Sequence, residues 1–198
     1  PGGTASKTGE TGMSEIQNQS NRQDKRISKD EYYLGIAREV SRRSTCFRRT
    51  IGAIIVRDDQ IISTGYVGAP RKTKDSLQHG FCLRDRLHIP HGQRYELCRS
   101  VHAEQNTIIN AARAGVSLLG GDMFIFGSDS KTGQPIDAFP CFVCKKMIIN
   151  AGLNRVVCST ADGKWTVFSV DDWARDWREN DILDDTHQYG KTNEGQHE

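Results

Sequence analysis

Residues 102–158 read HAEQNTIINAARAGVSLLGGDMFIFGSDSKTGQPIDAFPCFVCKKMIINAGLNRVVC. Over His102–Ala114, Ile108, Ile109 and Ala112 recur at helical spacing and Gly115 supplies a stop, which predicts a helix. Met123–Gly127 is a short apolar run that reads as a buried strand. Cys141–Ala151 reads as a further helix ended by Gly152, and Arg155–Cys158 as another buried strand. Strand–helix–strand units of this kind place consecutive strands in parallel with helices packed on the sheet.

The same reading extends upstream. Ser28 offers an N-cap to KDEYYLGIAREVSRRS, in which Tyr32, Tyr33, Ile36, Ala37 and Val40 share one helical face. TIGAIIVRD and QIISTGYV are short, β-branched and separated by Asp58-Asp59, the pattern of a hairpin. The expected fold is therefore α/β, a three-layer α/β/α sheet flanked by helices. Residues 67–101 fit neither period, and a connection of that length exceeds the usual ~12 to 15 residues of an unstructured loop. Something other than an apolar core is expected to hold it.

With 198 residues, 36% hydrophobic and 26% charged, the chain suits one domain with tails. Residues 1–12 read as an expression scar, 13–28 as a flexible segment, 29–170 as the domain and 171–198 as an acidic segment, largely flexible after 184. Within that last segment DDWARDW is expected to form a short helix that docks its indoles on the domain or on another subunit. No apolar run approaches the ~18 to 20 residues of a membrane span, and the first thirty residues do not resemble a signal peptide, so neither a membrane nor a secreted protein is expected. Six cysteines in such a chain point to a reducing, cytoplasmic setting where thiols serve metals or catalysis. Residues 22–101 carry 17 Lys/Arg against 9 Asp/Glu and residues 171–198 carry 3 against 9, an asymmetry better suited to a small anionic ligand than to a nucleic-acid-coating surface.

The chemistry gathers where two helices are predicted to begin. Cys141 and Cys144, two residues apart at a helix start, can turn toward one ion, and the unpaired N–H groups there favour thiolates. His102 completes three ligands, which leaves the fourth tetrahedral position open, the arrangement of a catalytic zinc. Glu104, two residues from a ligand, is placed to move protons at that position. H-x-E followed by P-C-x-x-C is the signature of zinc-dependent nucleobase deaminases.

The stretches SVHAEQNTIINAARA, IDAFPCFVCKKMIINAGLNRVV and RRSTCFRRTIGAIIVRDDQIISTGY closely resemble the deoxycytidylate deaminase family. The resemblance runs from about Tyr32 to Cys158, roughly two-thirds of the chain. It implies a cytidine-deaminase-like fold, zinc on His102, Cys141 and Cys144, and attack of zinc hydroxide on C4 of deoxycytidylate with loss of ammonia. The product would supply deoxyuridylate for thymidylate synthesis. By the same resemblance Glu104 protonates N3 and then the departing amine, the Ala103 N–H meets the pyrimidine carbonyl, and the Phe139 carbonyl accepts from the amino group. A second, closed zinc on Cys46, His79, Cys82 and Cys98, with His88 or His91 as replacements for His79, would staple the long connection. The family also implies a homo-oligomer, commonly hexameric, and regulation by deoxycytidine and thymidine triphosphates with Mg2+.

A nucleotide substrate requires an anion seat, for which Arg48 and Arg49 are the first candidates, ahead of Arg71, Lys72, Arg94 and Arg99. One position departs from the family: where it reads G-Y-N-G, this chain has Val67, which removes an amide associated with the sugar. Other readings are a deaminase of another base, as in tRNA, a polynucleotide deaminase, or a noncatalytic zinc module. Glu104, unnecessary as a ligand, speaks against the last.

Overall fold

The computed structural model describes residues 26–90 and 93–179. Along the chain these form α1 (Lys29–Ser41), β1 (Arg49–Arg57), β2 (Gln60–Tyr66), the short α2 (Ser76–His79) and α3 (Leu83–Arg86), α4 (Ala103–Ala114), β3 (Asp122–Asp129), α5 (Phe142–Asn150), β4 (Arg155–Ser159), β5 (Trp165–Ser169) and α6 (Val170–Glu179). The Ser28 hydroxyl accepts from the Glu31 N–H at 3.1 Å and so caps α1, as its sequence position predicts.

The five strands lie in the order β2-β1-β3-β4-β5. β3 and β4, joined through α5, are parallel as expected. The unit β2–α4–β3 is different: β3 passes beyond β2 to pair antiparallel with β1, so the sheet is mixed. β5 is a strand that the sequence reading did not include. It pairs antiparallel with β4 at the sheet edge, and Trp165 to Val167 are exposed, so it lacks the alternation that marks a half-buried strand.

Alternate side chains of the central strands divide the core into two layers. Ile54, Val56, Phe124 and Val157 pack against Tyr33, Leu34 and Ala37 of α1. Ala53, Ile55, Met123, Ile125, Val156 and Cys158 face the other way, against Ala103, Ala111, Ile148 and Trp173 of α4, α5 and α6. Fully burying each Ile or Val contributes on the order of 1.5 to 3 kcal/mol, so the two layers together specify the expected three-layer sandwich. Trp173 is 8% exposed, with the Lys145 ammonium 4.8 Å from its ring centroid, and the Trp177 ring lies 4.9 Å from that of Phe142. The start of the acidic segment thus packs on α5 as part of the domain. The expectations for residues 1–25 and 180–198 lie outside the described residues.

Two glycines set how closely the helices sit. A Cβ at Gly65 would stand 2.5 Å from Thr107 Oγ1 and 2.7 Å from the Ala103 carbonyl oxygen, so α4 rests directly on β2. A Cβ at Gly52 would similarly lie 2.8 Å from Ser41 Cα, at the end of α1.

Candidate active site

The N-terminal half of α4 is tied to β2 by polar side chains that reach across between their backbones. Asn106 Nδ2 donates to the Tyr66 carbonyl at 2.8 Å and Asn110 Nδ2 to the Thr64 carbonyl at 2.8 Å. Ser63 Oγ returns a bond to the Thr107 carbonyl at 2.7 Å. These bonds explain why QNTIIN carries polar residues on a helix face turned toward the sheet. His102 is the N-cap of α4 and Cys141 the N-cap of α5, both in extended backbone, so two helix N-termini converge.

At their meeting point His102 Nδ1 lies 3.5 Å from Cys141 Sγ and 3.4 Å from Cys144 Sγ, and all three ligand atoms fall within 4.8 Å of one another. Zn–S near 2.3 Å and Zn–N near 2.0 Å give a tetrahedral edge of roughly 3.6 Å, so the spacing and donor chemistry of this set fit zinc. It is the one such group of three among the described residues. A bond from Cys144, joined by His102, holds the Cys141 thiol down to about 4, and the Cys144 thiol is correspondingly raised by its bond to Cys141 and by burial. For His102 burial works to lower the pKa, but the bond to Cys141 and the charge of Glu104 bring it above the ordinary value. Glu104 is 5% exposed, and burial pushes its carboxyl up from the usual carboxylate range.

His102, Glu104 and Cys141 open on a cavity of about 110 Å³ that also takes in Ala103, Phe139, Val67, Arg48 and Arg49. Ala103 is buried at the first position of α4, where its N–H is not used by the helix. Phe139 is exposed and meets Phe168 edge-on at 5.3 Å. Val67 is buried, its N–H donating to the Ile51 carbonyl at 3.0 Å and its carbonyl accepting from Thr45 N at 3.0 Å.

The long connection also delivers residues to this cavity. Its ends are joined by a bridge between Gly68 and Val101, with Val101 N donating to the Gly68 carbonyl at 2.8 Å. Arg48 holds the middle: Nε donates to Asp85 at 2.7 Å and Nη2 to the Ile89 carbonyl at 3.2 Å. The expected second zinc set is not assembled among the described residues. Cys46 Sγ accepts from Arg48 N at 3.4 Å, Cys98 lines the cavity of the first site, Cys82 lines a neighbouring one, and the His79 ring turns to Phe81, 6.0 Å away. Backbone pairing and arginine bonds close this segment. His88 joins no such group, and His91 lies outside the described residues. Arg71 donates to Asn110 at 2.6 Å, Arg94 pairs with Glu96, and Lys72 and Arg99 are exposed.

Tyr95 and Arg84 were not among the site residues read from the sequence. Tyr95 meets His102 edge-on, with centroids 5.1 Å apart, and Arg84 lines the same cavity. Both come from the aperiodic connection, where no spacing distinguishes one side chain from another.

Fold and site together define an α/β domain that gathers an imidazole and two thiols at paired helix N-termini beside a buried carboxyl. The chain belongs to the family described as the cytidine and deoxycytidylate deaminase zinc-binding region, whose sequence model matches residues 27–160. Among relatives, a deoxycytidylate deaminase of Schizosaccharomyces pombe is 30% identical over 69% of this chain and 38% of its own length. One from Mycobacterium phage D29 is 33% identical over 65% of this chain and 91% of its own length. The chain spans about 38% of the S. pombe relative and likewise 38% of one from Saccharomyces cerevisiae. A dCMP deaminase structure from cyanophage S-TIM5 aligns with a TM-score of 0.47 at 26% identity, covering 66% of this chain and 82% of that one.

Proposed function

We propose that the chain converts deoxycytidylate to deoxyuridylate and ammonia. The observation that carries this reading is the buried Glu104 carboxyl, which lines one cavity with His102 and Cys141 where these converge with Cys144. His102 Nδ1 and the two sulfurs would hold zinc, which acidifies water to a pKa of roughly 7 and so makes a nucleophile available at neutral pH. Glu104 accepts a proton from the attacking water, delivers it to N3, and returns a second proton to the amino group as the C4–N bond breaks. Its burial supports this role, because burial raises the carboxyl's pKa and so favours its acting as proton acceptor and donor in turn. The Ala103 N–H donates to the pyrimidine carbonyl and the Phe139 carbonyl accepts from the 4-amino group, fixed dipoles that need no reorganisation. Arg48 and Arg49 make the phosphate side of the cavity positive.

The nucleotide reading draws on the deoxycytidylate deaminases among the relatives. Supply of deoxyuridylate for thymidylate synthesis, a cytoplasmic setting, a homo-oligomer and nucleotide regulation with Mg2+ go with it as parts of the same proposal. None of the described helices is long and apolar enough to cross a membrane. Ammonia release from a panel of cytosine, cytidine, deoxycytidine, deoxycytidylate and a cytosine-bearing oligonucleotide tests the assignment. Deoxycytidylate is expected to give the largest kcat/KM; an oligonucleotide preference would overturn the reading.

A further inference from the structure

We propose that Arg84 is the residue that recognises the substrate's 5′-phosphate, an inference that rests on the nucleotide reading above and assigns its specificity. Arg84 sits in α3 and is 5% exposed, yet it lines the cavity that holds His102 and Glu104. Its Nε is buried without a hydrogen-bond partner, and Nη2 makes one bond, to the Pro90 carbonyl at 3.1 Å. Among the described residues no carboxylate lies within ion-pair distance of it. A guanidinium carries five donors, and burying it without an anion is costly. Such a group persists where a ligand supplies the missing acceptor.

Its position suits the far end of a nucleotide. The guanidinium carbon lies 4.9 Å from the Tyr95 ring centroid, and the Tyr95 ring stands edge-on to His102 at 5.1 Å. The cation is thus held one aromatic ring away from the metal-ligating imidazole, while a nucleotide carries its phosphate one sugar away from its base. Stacking on Tyr95 fixes the plane of the fork, which prepares it for phosphate oxygens. Arg48, ranked first from the sequence together with Arg49, is already engaged by Asp85 and the Ile89 carbonyl, and among the described residues Glu104 is the one acidic residue lining the cavity. Arg84 therefore keeps an open Nε, whereas Nε and Nη2 of Arg48 are already engaged.

The test compares zinc-loaded full-length wild type, Arg84→Gln and Arg84→Lys for ammonia release from deoxycytidylate and deoxycytidine, with zinc content and melting temperature measured for each. One or two charge-assisted bonds correspond to a loss of roughly tenfold to a hundredfold in kcat/KM for deoxycytidylate in Arg84→Gln, with deoxycytidine changed less than about threefold. Arg84→Lys, which keeps the charge but not the fork, is expected to fall between. Should Arg84 only clasp the connection through Pro90 and Tyr95, both substrates fall together and their ratio stays at the wild-type value, which overturns the proposal. Calorimetric binding of deoxyuridylate against deoxyuridine separates this from the functional reading. If wild type deaminates neither substrate, the functional reading falls. A preference for deoxyuridylate that Arg84→Gln abolishes still supports the phosphate seat, and equal binding of both ligands overturns it.

Discussion

Gly65→Ala tests whether the seating of α4 on β2 sets catalysis. The added Cβ would stand 2.5 Å from Thr107 Oγ1 and 2.7 Å from the Ala103 carbonyl oxygen, with the Thr107 amide nitrogen also in its way. Ordinary contact begins near roughly 3.5 Å, so the first turn of α4 must retreat by about 1 Å. That turn carries Glu104 and follows His102 directly. A misplacement of about 1 Å at reacting groups lowers the rate by roughly a hundredfold, and overpacking of this kind destabilises by about 1 to 3 kcal/mol. For a chain of this size that stability loss corresponds to a fall of about 3 to 9 °C in Tm. Ammonia release from deoxycytidylate and calorimetric melting read the two effects. Gly35→Ala is the control, because a Cβ there meets nothing within 4 Å inside α1 and should leave activity unchanged while raising Tm slightly. Wild-type kcat/KM in Gly65→Ala would show that the close approach of helix to strand does not position the site.

Glu104→Gln is expected to keep zinc and fold but to lower kcat by several orders of magnitude, since an amide does not carry protons; near-normal turnover removes Glu104 from the mechanism. Cys141→Ser should reduce bound zinc measured by elemental analysis, whereas Cys82→Ser should leave the count unchanged, and a fall in the latter would restore a second site to the long connection. The Tyr33 hydroxyl donates to Asp59 at 2.6 Å, and this bond, with burial and the carboxylate charge, pushes the phenol up to about 12. A raised folded-state pKa contributes stability that is complete below the ordinary tyrosine value near 10 and is lost as pH rises toward 12. Urea titrations should therefore show wild type more stable than Tyr33→Phe at pH 8 and the gap closing above pH 10. A gap that stays constant to pH 12 refutes the linkage.

The amino-acid sequence determined the parts whose information is local or periodic. Helices α1, α4 and α5 follow from apolar spacing with Ser28, Gly115 and Gly152 at their ends, and the central strands follow from short β-branched or apolar runs. The candidate metal-binding trio was legible for a related reason, since His102 with Glu104 and Cys141 with Cys144 are each short motifs at a helix start. Tertiary structure decided what depends on contacts between distant segments. It placed β3 beside β1 instead of β2, because strand order is set by which faces bury one another and not by chain order. It also paired Arg48 with Asp85 and carried Arg84 and Tyr95 into the cavity. Residues 67–101 have no period to read, so the orientation of each side chain there depends on the bridge at Gly68 and Val101 and on arginine bonds from elsewhere in the fold.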